Sequence, residues 1–302
     1  MVAVAWGRSR WIDRPDRIGG RSVSWRVSRT GSRSHGGYNR EFVRRVGAYA
    51  NGVLPRGWVD AACQFLVFFL AYNAYQLVRG ITDNGHEAAF ANAHHIVNLE
   101  RSLGTFFEPG LQQALLNHAS WLIDVANFTY LNSHFVITTA FLGWLYLFRN
   151  EHFYFVRNMF IVAMGIALIG YTVFPTAPPR LLVSEGFTDT IAAFTGVTQD
   201  SQTASLLVNQ YAAVPSMHIA FSLMVAVPAA ALSRNLLGRA LWPAYPLLIL
   251  FAIIATGNHY WFDAAIGAAV ACAAAVGATQ LARLRPGAWS WPTEPSPQEA
   301  TA

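Results

Sequence analysis

Long apolar runs constrain this chain more than any other feature, because about 20 apolar residues in a row form a helix that crosses a bilayer. Six runs of this kind lie along the sequence, near residues 59–79, 121–148, 153–174, 213–233, 240–257 and 260–282. Only 12% of the residues are charged, and the mean hydropathy is +0.30. Soluble domains carry roughly 25% charged residues. We therefore predict an all-α, polytopic membrane protein with six transmembrane helices.

The two ends of the chain differ from this membrane domain. Residues 1–57 are rich in Arg, Ser and Gly with few clustered apolar residues, so we predict a disordered cytoplasmic tail. Residues 284–302 are rich in Pro and are predicted to form a disordered C-terminal tail. The six-helix catalytic domain is predicted to cover residues 58–283.

A polar stretch, residues 80–120, separates the first two apolar runs. It contains the pattern NLERSLGTFFEPGLQ at residues 98–112. Four apolar residues of this pattern recur at a spacing typical of an amphipathic helix, which we expect to lie along the membrane interface. They are Leu99, Leu103, Phe106 and Phe107.

The distribution of Arg predicts the orientation in the membrane. All 21 basic residues are Arg, and 12 of them lie between Arg8 and Arg56. With both termini in the cytoplasm, the inner segments hold 18 Arg and the outer segments hold 3. Cytoplasmic loops are enriched in Arg, so both termini are predicted to lie inside. The N-terminal cluster is then expected to meet anionic lipid rather than nucleic acid.

Three polar motifs fall on the predicted outer face, although they are far apart in sequence. They are FPTAPPRL at 174–181, AVPSMH at 213–218 and TGNHYWFD at 256–263. The predicted topology brings all three to one depth. That coincidence favours a shared site.

The third motif pairs His259 with Asp263, four residues apart and therefore on one face of a helix. A carboxylate at this spacing accepts a hydrogen bond from one imidazole nitrogen and leaves the other free to attack phosphorus. Such a pair is costly at a membrane boundary unless it is used. The alternative is that the two side chains only hydrogen-bond to each other at the start of a helix.

The second motif is typical of a helix start that binds an anion. Pro215 fits the first turn of a helix, and Ser216 can cap it. The free N–H groups that follow, with Met217, form a predicted phosphate site. His218 lies inside that site and can protonate a departing alkoxide. The alternative is an ordinary Pro-Ser helix start with an incidental His.

Arg180 is the basic residue of the first motif. A guanidinium binds phosphoryl oxygens with two hydrogen bonds and stabilises their charge in the transition state. We therefore assign Arg180 to phosphate binding. The alternative is an Arg whose side chain extends to lipid headgroups.

Further polar residues are candidates to line the substrate pocket. Asn127 and His134 interrupt the second apolar run and share a helix face, and Tyr260 follows His259. Hydrogen bonding between helices is the alternative for the first two. The sequence has no carboxylate cluster typical of Mg²⁺ and no Gly-rich phosphate loop. We expect chemistry without a metal or a cofactor.

Pro-Ser-x-His, followed 41 residues later by His-x-x-x-Asp, resembles the type-2 phosphatidic acid phosphatase superfamily. The motifs FPTAPPR and GNHYxxDxxxG, the latter ending at Gly267, are similar to its branch of inositol phosphorylceramide synthases. The resemblance covers residues from about 95 to 282. It implies that His259 is a nucleophile forming a phosphohistidine and Asp263 its orienting partner. It also implies that His218 is the acid and later the base, with Arg180 on the phosphate.

The sequence departs from the phosphatase branch at three places. Met217 replaces the Gly of Pro-Ser-Gly-His, Val173 stands where that branch has a Lys, and residues 252–253 are Ala-Ile instead of Ser-Arg. Fewer cations would therefore hold the phosphate. This favours a transferase over a simple phosphatase.

Three hypotheses for function follow. The first is transfer of a phosphate-containing headgroup, with inositol phosphate as one candidate, from a phospholipid or polyprenyl phosphate to a lipid alcohol. Hydrolysis is the same chemistry with water as acceptor. The second is a transporter with a His proton relay, which would need polar residues near the midplane of several spans. The last three apolar runs have almost none. The third is a catalytically silent lipid-binding relative.

Overall fold

The computed structural model describes residues 54–82, 85–196 and 211–284. The predicted tails, 1–57 and 284–302, lie outside the described residues except at 54–57 and 284. The described residues are helical and contain no strand, apart from an isolated bridge between Thr176 and Ala212. The all-α prediction is therefore confirmed for this part of the chain.

Ten α-helices follow one another within the described ranges. They are α1 (Gly57–Thr82), α2 (His86–Ser102), α3 (Glu108–His118), α4 (Ser120–Phe148), α5 (Asn150–Val173), α6 (Thr190–Thr195), α7 (Met217–Leu232), α8 (Leu236–Leu241), α9 (Ala244–Ala255) and α10 (Trp261–Leu284). Two 3₁₀ turns, Pro179–Leu181 and Val183–Glu185, lie between α5 and α6.

Four helical segments are long and apolar enough to cross a membrane: α4, α5, α10 and the segment Leu236–Ala255, which joins α8 to α9. They match four of the six predicted spans, and they indicate an integral membrane protein. The other two predicted spans fall on α1 and α7. Their apolar parts, Gly57–Ala71 and Met217–Leu232, are shorter, so the count of six is not confirmed.

Helix α7 is shorter than its predicted span because residues 213–216 are not helical. The span was predicted to start at 213, but the backbone N–H of Ala213 donates to the carbonyl of Thr176 at 3.2 Å. Ser216 also has an extended backbone, with ψ of 103°. The helix begins at Met217 and is about 24 Å long.

Helix α10 packs against α5 and α7, and α9 packs against α4 and α7. The buried face of α10 consists mostly of small residues, which let neighbouring helices approach closely. These residues are Ala264, Gly267, Ala271, Ala274 and Ala278.

A buried polar network joins α1 to α4 and α5. The hydroxyls of Tyr146 and Tyr154 donate to Oδ2 of Asp60 at 2.9 and 2.6 Å, and the Gln64 amide donates to Oδ1 at 3.0 Å. Arg157 then donates to Gln64 at 2.6 Å. A carboxylate in an apolar interior needs such partners, since burial without them is costly.

The predicted interfacial segment forms two helices, α2 and α3. Leu99, Leu103 and Phe107 are 39%, 57% and 49% exposed, respectively. The buried face of α2 is a different one, which includes Ile96, Val97 and a carboxylate, Glu100. This buried face places α2 against the start of α10.

Candidate active site

Hydrogen bonds between backbone segments bring the three motifs together. The N–H of Thr176, in the first motif, donates to the carbonyl of Tyr211 at 2.8 Å. The N–H of Arg180 donates to the carbonyl of Gly257 at 2.6 Å. The N–H of Ser216 donates to the carbonyl of Asp263 at 3.1 Å. The three motifs therefore meet through their main chains before any side chain is considered.

Two glycines permit this close approach. Gly257 has a φ of 66°, a conformation that side chains other than glycine rarely adopt, and it turns the chain between α9 and α10. Gly267 lies on α10 opposite the start of α7. A Cβ at position 267 would lie 2.2 Å from the carbonyl oxygen of Ser216, far inside van der Waals contact.

His259 is held by two acceptors on one side of its ring. Its Nδ1 lies 2.9 Å from the carbonyl oxygen of Ala213 and 3.3 Å from Oδ2 of Asp263. A carbonyl oxygen only accepts, so Nδ1 carries the hydrogen and Nε2 has the free electron pair in the neutral ring. The predicted pairing with Asp263 is present, but the Ala213 carbonyl is the nearer partner.

Burial keeps this imidazole neutral. His259 is only 4% exposed. Desolvation lowers the pKa of His259 to about 3, the hydrogen bond to Ala213 opposes that shift, and the nearby Arg180 charge adds to it. At neutral pH the Nε2 atom is therefore unprotonated and able to attack.

His218 faces His259 from the second position of α7. Their ring centroids are 5.5 Å apart with an interplanar angle of 61°. The ring of Tyr130 stacks on His218 at 4.4 Å, and His134 lies at 4.8 Å. His134 also stacks on Phe221 at 4.8 Å. Helix α4 thus contributes an aromatic wall beside His218. This wall consists of Tyr130 and His134.

Arg180 lies beside His259 and is only 7% exposed. Its guanidinium donates to Oδ1 of Asn258 and lies 3.8 Å from Oδ1 of Asp189. It also interacts with the hydroxyl of Tyr130. These contacts fix the guanidinium at the site instead of at lipid headgroups.

The start of α7 differs from its prediction in two respects. Ser216 occupies the N-cap position, but its side chain makes no capping hydrogen bond, and its buried Oγ has no partner among the described residues. Pro215 precedes the cap instead of lying in the first turn, because the helix begins only at Met217. Met217 is the first helical residue, and the first N–H groups of any helix have no acceptor within it.

Two predicted pocket residues lie in the packed interior. Asn127 donates to the carbonyl of Thr190 at 3.2 Å and accepts from its hydroxyl at 3.1 Å, so it joins α4 to α6. Tyr260 is fully buried, and its ring meets the edge of Phe187 at 6.5 Å. Asn127 also lines a cavity beside α6, and the pocket-lining role of both residues remains a prediction. His134, by contrast, contacts His218.

Sequence reasoning missed Tyr130 and Asn258. Tyr130 lies four residues before His134, so the helix spacing that drew attention to His134 also pointed to Tyr130. Asn258 directly precedes His259, but its role as acceptor for Arg180 depends on contact between distant segments.

Among the residues that the structure describes, no group of three or more His, Cys, Asp or Glu side chains is placed to hold a metal ion. Metal independence and the absence of a cofactor remain predictions.

The fold and the site define an integral membrane protein with two histidines, a carboxylate and a guanidinium drawn from separate segments. The model of the PAP2 superfamily matches residues 94–277, more than half of the chain, and the protein belongs to that superfamily. Its members are phosphatases or phosphotransferases, which fits an enzyme acting on lipid phosphates. No curated protein and no solved structure matches the chain.

Proposed function

We propose that this protein transfers a phosphate-containing headgroup from a phospholipid or polyprenyl phosphate to a lipid alcohol, through a phosphohistidine at His259. Inositol phosphate is the headgroup we favour, on the resemblance of the FPTAPPR and GNHYxxD motifs to the inositol phosphorylceramide synthase branch. The observation that carries the proposal is the 5.5 Å separation of the His218 and His259 rings beside Arg180. The two imidazoles and the guanidinium are therefore close enough to contact the same phosphate group.

In the first step, Nε2 of His259 attacks phosphorus and forms a P–N bond. The ester P–O bond to the donor lipid breaks, and its electron pair stays on the leaving oxygen. His218, protonated once the anionic phosphate lies beside it, gives its proton to that oxygen, so a neutral alcohol departs. Asp263 and the Ala213 carbonyl hold the Nδ1 hydrogen throughout.

In the second step, His218, now neutral, takes the proton of the acceptor hydroxyl. The acceptor oxygen attacks phosphorus, the P–N bond breaks, and its electron pair returns to Nε2 of His259. Both histidines are then in their starting states. With a lipid alcohol the product is a new phospholipid, and with water it is a free phosphate ester.

In this proposal, three groups stabilise the charge on the phosphoryl oxygens. Arg180 supplies a guanidinium, and the first N–H groups of α7, from Met217, supply donors at the positive end of a helix. The Tyr130 hydroxyl adjoins Arg180 and adds a neutral donor. This neutral donor adds to a site that has fewer cations than the phosphatase branch.

The aromatic wall of α4 supports transfer over hydrolysis. Tyr130 and His134 cover one side of His218 with ring surface, where an incoming acceptor would be deprotonated. Ring surfaces suit a lipid acceptor better than water. Hydrolysis remains the second candidate, because the superfamily includes phosphatases.

We further propose that the site opens on the extracytoplasmic face, with both termini in the cytoplasm. The split of 18 inner and 3 outer Arg supports this orientation.

A phosphoenzyme trap tests the proposal. Purified protein in detergent micelles receives a donor lipid labelled at phosphorus, and the reaction is quenched in alkali because phosphohistidine is labile in acid. We expect label on the peptide that contains His259, no label in His259→Ala, and wild-type labelling in the control His95→Ala, an exposed residue of α2. Label mapped to another residue would remove the proposed nucleophile.

Adding a lipid alcohol separates transfer from hydrolysis. We expect the trapped label to move onto the added alcohol, with free phosphate ester falling as the acceptor rises. Release of phosphate ester at a rate independent of the alcohol would leave the phosphatase as the function.

A further inference from the structure

Two glutamates of the NLERSLGTFFEPGLQ pattern are buried where an interfacial segment would be expected to expose charge. Glu100, on α2, and Glu108, the first residue of α3, are each 0% exposed. Carboxylates are almost never fully buried without specific partners. Neither residue takes part in the proposed chemistry.

Each glutamate accepts a backbone hydrogen bond from the start of α10. Oε1 of Glu108 accepts from the N–H of Trp261 at 3.0 Å, and Oε1 of Glu100 accepts from the N–H of Phe262 at 3.1 Å. These are the first two residues of α10, whose N–H groups have no acceptor within the helix. The cap of α10 is therefore supplied by two other helices.

The second oxygens of the two carboxyl groups are both buried. Within the described residues, Oε2 of Glu100 and Oε2 of Glu108 are buried and lack a donor. The two side chains are within hydrogen-bonding reach of one another. Two neighbouring carboxylates repel each other, whereas one shared proton allows a hydrogen bond between the two carboxyl groups.

We propose that Glu100 and Glu108 act as positioning residues, a proton-sharing carboxyl pair that fixes the first turn of α10 and with it Asp263 and His259. The expected effect on turnover rests on the proposed function. The effect on the helix start does not.

The route from this pair to the reacting ring is short. Asp263 is the third residue of α10, directly after the two capped residues. Its Oδ2 accepts from the N–H of Tyr260 at 3.0 Å and lies 3.3 Å from Nδ1 of His259. A shift in the first turn of α10 therefore moves the carboxylate and the imidazole together.

The charge state supports the same assignment. Burial raises the pKa of Glu100 to about 9, and the neighbouring charge of Glu108 adds to the shift. The other ionisable groups that face Glu100 are Asp263 and Tyr260. At neutral pH Glu100 therefore keeps its proton and can donate it to the carboxyl group of Glu108.

Replacing the two residues separately tests the proposal. Glu100→Ala and Glu108→Ala remove an acceptor, whereas Glu100→Gln keeps an acceptor for Phe262 and a donor for Glu108, as the protonated acid does. Glu87→Ala is the matched control, an exposed glutamate on the same helix. The readouts are hydrogen exchange of the peptide covering 257–266 and steady-state turnover of lipid phosphate.

In the alanine variants we expect exchange at Trp261 and Phe262 to rise about 10-fold or more, with kcat falling about 10- to 100-fold and KM nearly constant. Glu100→Gln should restore both readouts, and Glu87→Ala should change neither. Wild-type exchange and wild-type kcat in both alanine variants would overturn the proposal.

A second experiment tests the proposal even if the alanine variants do not fold. Protection of the 261–262 amides, corrected for intrinsic exchange, should fall in the wild type as pH rises through about 9 and stay flat in Glu100→Gln. Identical pH profiles would contradict the shared proton. If the wild type turns over no lipid phosphate but the exchange pattern holds, the proposed function fails and the positioning role stands.

Discussion

Two acceptors, instead of the single carboxylate predicted, lie beside Nδ1 of His259. The Ala213 carbonyl is nearer, at 2.9 Å, and Oδ2 of Asp263 is at 3.3 Å. The carbonyl alone is able to hold the Nδ1 hydrogen and keep Nε2 free. Asp263 is therefore expected to contribute orientation, while the backbone carbonyl fixes the tautomer.

Asp263→Asn should consequently lower kcat by about 10²-fold, less than the roughly 10⁴-fold loss seen where a carboxylate alone orients a catalytic histidine. The measurement is kcat with labelled donor lipid, alongside Asp124→Asn, an exposed aspartate on α4, as control. A loss as complete as that of His259→Ala would show that the Ala213 carbonyl does not suffice.

The pKa of His259, lowered to about 3, predicts an unusual pH dependence for phosphoenzyme formation. An ordinary histidine becomes protonated, and ceases to be a nucleophile, below about pH 6.5. With an aryl phosphodiester, whose leaving group needs no proton from His218, the burst rate should stay constant from about pH 7 to 4.5. Rapid-quench measurements check this, and a fall centred near pH 6.5 would contradict it.

The same shift predicts a change in stability. His259 is neutral in the folded protein, but it gains a proton below about pH 6.5 when unfolded. Its contribution to the free energy of unfolding is therefore lost as pH falls from about 6.5 toward 3.

Among the helices, the contact between α7 and α10 decides whether the two histidines face each other. Gly267 brings α10 against the carbonyl of Ser216, where a Cβ would lie only 2.2 Å away. The atom in the way belongs to the backbone, so it cannot move aside as a side chain can.

Gly267→Ala should therefore force α7 and α10 apart. Overpacking of this kind costs about 1–3 kcal/mol, and it should lower both the unfolding midpoint in detergent and kcat. Gly165→Ala is the control, because a Cβ at this α5 position meets nothing within 4 Å. Equal unfolding midpoints and equal kcat values in Gly267→Ala and Gly165→Ala would mean that α7 and α10 can separate without loss of stability or activity.

The elements and the site differ in how far they could be predicted from sequence. The long spans and the His259–Asp263 spacing were visible, since both depend on local periodicity. The short α7 was not, because Ala213 pairs with Thr176 and Ser216 pairs with Asp263, and both partners are far away in sequence. Asn258, the Ala213 carbonyl and the buried pair of Glu100 and Glu108 likewise depend on contacts that only the folded chain supplies.

For the molecule as a whole, membership of the PAP2 superfamily confirms the resemblance at that level, while the branch remains a proposal. The proposed orientation gives a further prediction. His118 and Glu151 are exposed and lie at opposite ends of α4, about 45 Å apart along the helix.

In a background with Cys63→Ala and Cys272→Ala, a membrane-impermeant maleimide should label His118→Cys in intact cells and Glu151→Cys only after permeabilisation. The cysteines of the chain are thereby confined to the test positions. The reverse pattern would place the site on the cytoplasmic face.

The bonds from Ala213 to His259 and from Ser216 to Asp263 have a consequence for how a bulky lipid enters. They join the segments that carry His218 and His259, so widening the gap between the two histidines would break these hydrogen bonds. Helix α4 contacts His218 through the rings of Tyr130 and His134. Sliding one ring past another costs less free energy than breaking hydrogen bonds. We therefore expect the acceptor lipid to enter through a displacement of α4, while His218 and His259 keep their positions.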